Sequence, residues 1–284
     1  MSILVKNLKH TYMRKTPFEK DALKGISLEI KKGEFVAIIG HTGSGKSTLL
    51  QHFNGLLLPT DGEICIDGER ITKKNLLSIR RKVGFVFQYP EHQLFEDTVY
   101  KDIAFGLKRF KLTDEEVRER VLYASKLVGL DERLFERSVF ELSGGEKRRV
   151  AVCGVLVSNP SYLILDEPAS GLDSKGKRDM LALLQKLNES GVTVILVSHS
   201  MDDVAEVAGR VIVMKDGAVV LDGTPLEVFS QRDYLSSLDL DIPEVTRMFM
   251  DFADRSGLDI PVVIKKQEGV ALIRQLIAEG RLLK

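Results

Sequence analysis

The sequence predicts an α/β protein built on a mostly parallel β-sheet with helices on both faces. Four short runs are almost entirely apolar, which indicates strands covered on both sides. They are Phe35–Ile39, Val83–Phe87, Tyr162–Leu165 and Val192–Val197. The segment Ser174–Asn188 carries apolar residues at helical spacing and is followed by a helix-ending glycine, Gly191. Three segments near the N-terminus alternate instead, which predicts an additional antiparallel layer: Ile3–Lys9, Ile26–Ile30 and Ile64–Ile66.

The 284 residues are enough for one large domain with an appendage. Between Val99 and Pro160 the pattern becomes helical, and Thr113 followed by Glu116 indicates a capped helix start. We expect a helical subdomain inserted at about residues 99–160, with ordinary crossover helices as the alternative. The main domain is predicted to span residues 1–230. Residues 231–284 form a C-terminal extension too small for a large core of its own, so we expect it to pack on the main domain or on a neighbouring subunit.

Composition excludes several classes of protein. The 41 basic and 41 acidic side chains balance, so the chain lacks the basic excess of a nucleic-acid-binding protein. The short basic run Lys147–Arg149 indicates a solvated helix face or a local contact. Cys65 and Cys153 form no CxxC pair, Cys153 lies in an apolar stretch typical of a core, and the five histidines show no metal-ligand spacing. The first residues resemble a strand rather than a secretion signal, so we expect the chain in the cytosol unless a partner holds it at a membrane.

A glycine-rich loop lies between the predicted strand Phe35–Ile39 and a predicted helix, Lys46–Phe53. This loop and the start of its helix read Gly40, His41, Thr42, Gly43, Ser44, Gly45, Lys46, Ser47 and Thr48. The pattern and its setting predict a nucleoside triphosphate site, in which backbone N–H groups surround the phosphates. Lys46 is expected to reach the β- and γ-phosphates, and Ser47 to ligate Mg²⁺.

Two carboxylates follow the predicted strand Tyr162–Leu165. Asp166 ends the strand and is positioned to hold Mg²⁺ opposite Ser47. Glu167 comes next and points elsewhere, so one carboxylate can serve the metal and the other the attacking water. An Asp-Glu pair after a strand is also a common loop start, but the upstream phosphate loop and Pro168 favour the functional interpretation.

The segment Leu142-Ser143-Gly144-Gly145-Glu146 adds the most specific signal. With the phosphate loop upstream and Asp166-Glu167 downstream, the chain resembles the ATP-binding cassette (ABC) family over residues 1 to about 230. The resemblance implies the ABC fold, ATP and Mg²⁺ as ligands, and ATP hydrolysis. It also implies that Ser143 and Gly145 bind the γ-phosphate of ATP held by the opposite subunit, so that two cassettes close around ATP and reopen after hydrolysis.

The resemblance also assigns roles to single residues around the nucleotide. Tyr12 matches the aromatic residue that stacks on adenine, with a plain strand residue as the alternative. Gln88 matches the glutamine that senses Mg²⁺ and the attacking water. Glu167 matches the general base, and His199 matches the histidine that contacts the γ-phosphate. The loop Ser170–Asp173 matches the segment that touches the opposite subunit.

The segment Gln88–Glu96 is similar to the glutamine loop of energy-coupling factor ATPases. Thr16–Glu19 and Gly40–Gly43 are similar to the same segments in one of the two ATPase types of that group, the type that pairs with a sister ATPase. This resemblance implies a role in importing vitamins or Ni²⁺/Co²⁺ from the cytoplasmic face of the cell membrane, as a peripheral subunit. It favours pairing with a second, sister ABC ATPase, with a homodimer left open. The C-terminal extension would help this dimerisation. The other implied partners are a transmembrane scaffold (T-component) and, indirectly, a substrate-binding membrane protein (S-component); no nucleic acid is expected.

In that family a groove beside the glutamine loop receives helices of the scaffold whose arginines meet acidic residues. We place the groove at Tyr89–Asp97 and expect Glu91, Glu96 or Asp97 to be the acidic partner, with a solvated acidic loop as the alternative. Other ABC importers and soluble ABC ATPases remain the competing functions. The glutamine loop argues against the first. The single cassette without long coiled-coil insertions argues against the second.

Overall fold

The computed structural model describes residues 1–281, and it contains two β-sheets. The larger sheet has six strands in the order β10-β9-β3-β8-β7-β6, and the smaller has four in the order β2-β1-β4-β5. In chain order the strands are β1 (Ser2–Tyr12), β2 (Lys20–Lys31), β3 (Phe35–Ile39), β4 (Asp61–Ile66), β5 (Glu69–Arg70), β6 (Val83–Val86), β7 (Tyr162–Asp166), β8 (Thr193–Val197), β9 (Arg210–Lys215) and β10 (Ala218–Gly223).

Helices connect these strands and extend beyond the last of them. They are α1 (Lys46–Phe53), α2 (Leu76–Lys82), α3 (Val99–Phe105), α4 (Asp114–Leu127), α5 (Gly144–Leu156), α6 (Ser174–Glu189), α7 (Met201–Val207), α8 (Pro225–Phe229), α9 (Arg232–Ser237), α10 (Glu244–Ser256) and α11 (Lys266–Ala278). Short 3-10 turns cover Pro90–Gln93, Glu132–Leu134 and Val139–Glu141. Within residues 1–281, no helix is both long enough and apolar enough to cross a membrane.

The larger sheet is parallel from β6 to β9, and only its edge strand β10 is antiparallel. Its central strands β3 and β8 are buried along their whole length, because layers cover both faces of the sheet. This confirms the mostly parallel core predicted from the apolar runs. Since β3, β8, β7 and β6 are parallel neighbours, their carboxyl ends meet at one edge of the sheet.

The antiparallel layer near the N-terminus is also present. It pairs β1 with β2 on one side and with β4 on the other. Alternate residues of these strands belong to a hydrophobic cluster that also includes residues of α1 and of one face of the larger sheet. Helix α1 contributes Leu49, Leu50 and Phe53 to this cluster. The helix after the phosphate loop is therefore held between two sheets, which fixes the loop that precedes it.

Helices α3, α4 and α5 pack together in the region where the sequence predicts a helical subdomain. The helix start predicted at Thr113 carries a capping box with Glu116, and α5 begins with a second one, formed by Ser143 and Glu146. Cys153 of α5 is fully buried, and burial raises the pKa of its thiol to about 12. It is thus a small core residue, as its apolar setting indicates.

The main hydrophobic core continues past residue 230, since Leu235, Leu238 and Ile242 belong to it. Beyond them, α10 and α11 enclose a small separate cluster around Phe249. The extension also touches the main domain through polar contacts: the Glu244 N–H donates to Asp202 (3.2 Å) and Lys265 to the carbonyl of Glu206. The division of the chain at residue 230 stays a prediction.

Candidate functional site

The predicted functional residues follow four neighbouring strands at one edge of the larger sheet. The glycine-rich loop follows β3, His199 follows β8, Asp166 and Glu167 stand at the end of β7, and Gln88 lies two residues past β6. Segments that are separated by more than 150 residues in the chain are therefore adjacent in space. The carboxyl edge of a parallel sheet is where α/β proteins bind their ligands.

The glycine-rich loop requires glycine at two positions for steric reasons. A Cβ atom on Gly40 would lie 2.3 Å from the Met214 carbonyl oxygen, and one on Gly45 would lie 2.7 Å from the Ala22 carbonyl oxygen. Gly45 also has a φ of +101°, which disfavours any residue with a side chain. The hydroxyl of the buried Ser44 has no hydrogen-bond partner among residues 1–281. The loop thus has the backbone freedom and a spare donor that suit phosphate oxygens.

Lys46 begins α1 beneath this loop and is almost fully buried. Its ammonium donates hydrogen bonds to the carbonyl oxygens of Gly40 (2.6 Å) and His41 (3.0 Å). Burial lowers the pKa of Lys46, while the charges of Glu167 and Asp166 oppose that effect. The loop therefore holds a cation directly beside two carboxylates.

Ser47 and Asp166 meet across the site. The Ser47 hydroxyl donates to Asp166 Oδ2 at 3.0 Å, although the two residues are 119 positions apart in the chain. A hydroxyl and one carboxylate form the hard oxygen donor set that suits Mg²⁺, which keeps several of its own waters. Consistent with such a sparse site, residues 1–281 contain no cluster of three or more His, Cys, Asp or Glu side chains that could hold a metal.

Glu167 and His199 form a direct contact, with His199 Nε2 2.7 Å from Glu167 Oε1. Glu167 has a φ of +52°, an uncommon backbone conformation for a residue with a side chain. Its N–H donates to the Val197 carbonyl at the end of β8, which helps to hold that conformation. Strain of this kind concentrates at functional sites because the surroundings must enforce it. Gln88 is exposed at the same edge.

Tyr12 lies at the rim of a cavity of about 510 Å³ that is also lined by Gly43, Lys46, Ser47 and Thr48. Its hydroxyl lies 3.2 Å from Thr48 Oγ1, and 38% of the residue is exposed. An accessible aromatic ring beside the phosphate loop can stack on a base.

A buried histidine pair supports this rim, and the sequence pattern does not reveal it. His52 Nε2 lies 3.1 Å from His10 Nδ1, and His10 packs edge-on against Tyr12. The Thr48 carbonyl can only accept, so His52 Nδ1 donates to it at 2.7 Å. Burial is the main cause that lowers the pKa of His52, to about 4, and it also lowers that of His10. Both rings are therefore neutral at pH 7.

Ser143 and Gly145 are not brought to the phosphate loop of their own chain by any contact among the described residues. Ser143 caps α5, and its hydroxyl donates to Glu146 at 2.6 Å. A Cβ atom on Gly144 or on Gly145 would meet nothing within 4 Å. The packing of this chain therefore does not require these glycines, and the exposed helix start is free to face another molecule.

The acidic candidates in the segment Tyr89–Asp97 differ in their pairing. Glu91 is bound through both carboxylate oxygens to Arg148, and Glu96 is paired with Lys108 at 2.7 Å. Asp97 lies 3.6 Å from the ammonium of Lys101, and 88% of its side chain is exposed. Of the two interpretations of Lys147–Arg149, the solvated helix face is wrong for Arg148, which is only 3% exposed. The carboxylate of Glu91 and two backbone carbonyls satisfy its charge inside the protein.

The sequence is similar to a known protein family and to individual named proteins. The family described as "ABC transporter" matches residues 23–170. The energy-coupling factor transporter ATP-binding protein EcfA2 of Clostridium tetani is 54% identical over 259 residues, which cover 90% of each chain. EcfA2 of Latilactobacillus sakei is 47% identical over 286 residues, which cover 99% of this chain and 98% of the relative.

Proteins of solved structure are also similar to this chain in sequence and in fold. The protein cbiO1 of Clostridium perfringens, described as part of the ABC transporter complex cbiONQ, aligns with a TM-score of 0.74 and 41% identity over 87% of this chain and 98% of that one. The ATP-binding cassette MJ0796, solved as a dimer in a post-hydrolysis state with ADP and Pi, aligns with a TM-score of 0.69 and 37% identity over 78% and 98% of the two chains.

Proposed function

The chain belongs to the ABC transporter family of ATPases, and from that premise we propose that it is the ATP-hydrolysing subunit of an energy-coupling factor importer. The relatives named for that function are 47–54% identical to it over nearly its whole length. We further propose that the imported solutes are vitamins or Ni²⁺/Co²⁺ ions. No contact among residues 1–281 favours one of these solutes, since the protein that selects the solute is a separate membrane component.

ATP hydrolysis is proposed to use the residues gathered at the carboxyl edge of the larger sheet. Glycine-loop N–H groups and Lys46 bind the phosphates, and Tyr12 stacks on the base. Ser47 and Asp166 would hold Mg²⁺, with Gln88 nearby; the ion would neutralise phosphate charge and orient the β- and γ-oxygens. Glu167 accepts a proton from the attacking water, and its contact with His199 keeps the carboxylate oriented.

The family works as a dimeric ATPase together with a membrane component. We propose that Ser143 and Gly145 of one subunit bind the γ-phosphate of ATP held by the other. The free helix start of α5 and the open space around Gly145 support this assignment. A sister ATPase is the favoured partner, with a homodimer as the alternative, and the C-terminal extension is proposed to strengthen either dimer.

Attachment to the membrane is proposed to use the segment Tyr89–Asp97 at the cytoplasmic face. Glu91 is unsuited to meet an arginine of the transmembrane scaffold, because Arg148 already occupies both of its oxygens. Glu96 is paired with Lys108. Asp97 also has a partner, Lys101 at 3.6 Å, but it is much the most exposed of the three carboxylates, so it is the proposed contact.

The observation that carries the catalytic part of the proposal is the meeting of Ser47 with Asp166 and of Glu167 with His199 at one sheet edge. Purification of the tagged chain from gently solubilised membranes tests the transport part, with an untagged strain as control. A second ABC ATPase, a multi-spanning scaffold and small substrate-binding membrane proteins should co-purify. A permease pair without a substrate-binding membrane protein would contradict the energy-coupling factor assignment, and purely soluble partners would contradict transport.

A further inference from the structure

A single buried guanidinium, that of Arg148, joins the three segments that surround the catalytic edge. Arg148 lies on α5, five residues after its cap Ser143, and only 3% of its side chain is exposed. Its Nε and Nη2 donate to the two carboxylate oxygens of Glu91 at 3.0 and 2.9 Å. Its Nη1 donates to the backbone carbonyls of Pro168 (3.1 Å) and Ser170 (2.8 Å).

Each partner of Arg148 belongs to a segment with a proposed role. Glu91 lies in the 3-10 turn Pro90–Gln93, three residues after Gln88. Pro168 directly follows Glu167, whose backbone has a positive φ. Ser170 begins the loop proposed to touch the opposite subunit, and its N–H donates to the Glu167 carbonyl at 3.1 Å. The guanidinium therefore fixes the distance between the glutamine loop, the Glu167 turn and the start of α5.

The geometry of these contacts depends on the shape of arginine. A guanidinium is planar and rigid, and it presents several donors in fixed directions, so it can bind a carboxylate with one edge and carbonyls with another. A lysine ammonium carries the same charge but is a single point on a flexible stem. It can neutralise Glu91 without holding the carbonyls of Pro168 and Ser170 at the same time.

We propose that Arg148 is a positioning residue for hydrolysis, which sets the placement of Glu167 relative to the glutamine loop and to α5. This inference rests on the proposed function. Arg148 has no contact with the phosphate loop, so ATP binding does not depend on it directly. Its loss therefore lowers the rate of the chemical step more than it weakens the affinity for ATP.

The test uses the purified membrane complex and measures kcat, KM for ATP and thermal unfolding. For R148K we expect hydrolysis at the active site that this chain supplies to slow about tenfold or more, since small misplacements of catalytic groups are costly. The kcat of a complex with two active sites then falls by about half or more, while KM for ATP changes less than about twofold. For E91Q, which keeps the carbonyl contacts of the guanidinium, we expect a smaller loss. The double variant R148K/E91Q should be no slower than R148K, because both changes break the same linkage.

Lys147→Gln is the matched control, since it removes a neighbouring charge on α5 that forms no ion pair among the described residues. It should keep the wild-type kcat. A kcat for R148K equal to that of the control would overturn the inference. The inference would also be overturned if R148K lowered the melting temperature, the affinity for ATP and kcat together, because that pattern indicates a purely structural role. If the wild-type complex itself neither hydrolyses ATP nor transports, the proposed function fails instead.

Discussion

Acidification should destabilise this protein through His52, by an amount that the structure allows us to work out. His52 is fully buried, and burial lowers its pKa from 6.5 to about 4 in the folded state. The unfolded chain therefore binds this proton first as the pH falls. The destabilisation is absent well above pH 6.5, grows as the pH falls from 6.5, and reaches its limit near pH 4. A shift of this size corresponds to about 3 kcal/mol at that limit and about 2 kcal/mol at pH 5.

The assay is denaturant unfolding at pH 7, 6 and 5 for the wild type and for His52→Asn. Many carboxylates also change their protonation over this range, so the informative quantity is the difference between the two proteins. The wild type should lose about 2 kcal/mol more stability than His52→Asn between pH 7 and pH 5. Parallel pH profiles would refute the argument that the His10–His52 pair is neutral because it is buried.

Three further predictions address packing, attachment and nucleotide binding. A Cβ on Gly106 would lie 2.7 Å from the Gly154 carbonyl, whereas one on Gly154 meets nothing closer than 3.9 Å. Gly106→Ala should therefore destabilise by about 1–3 kcal/mol, while Gly154→Ala, inside α5, should stabilise by up to about 1 kcal/mol in thermal unfolding. Asp97→Lys should reduce recovery of the chain with its membrane complex, and Asp233→Lys, an equal charge change at a fully exposed site, should not. Tyr12→Ala should raise KM for ATP about tenfold in steady-state assays, and Tyr12→Phe should leave it within about twofold, because the ring rather than the hydroxyl is proposed to stack on the base. The packing argument would be contradicted by equal stability of the two alanine variants, and the attachment argument by equal recovery of the two lysine variants. An unchanged KM for Tyr12→Ala would contradict the stacking argument.

Much of the fold follows from local patterns in the sequence. Continuous apolar runs predict the buried strands β3 and β8 within one residue of their ends, because a strand covered on both faces has no polar side. The capping pattern at Thr113 likewise predicts the start of α4. The hairpin of β9 and β10 is not among the predicted elements, although its turn, Asp216-Gly217, is a known signal between two apolar runs.

The sequence is less informative about contacts between distant side chains. The pairing of Arg148 with Glu91 spans 57 residues, and that of His52 with His10 spans 42. Neither pair has a signature in spacing, because each depends on how separate elements pack. In the sequence, Arg148 consequently resembles part of a solvated basic run. In the fold it is buried and binds Glu91.

The central claim is that this chain is an ATPase whose hydrolysis depends on Glu167. The most direct test is the rate of ATP hydrolysis by the purified membrane complex containing either the wild type or Glu167→Gln. We expect the variant complex to bind ATP and to assemble, but to lose at least half of its activity, because each ATPase subunit supplies one of the two active sites. An unchanged rate would contradict the account.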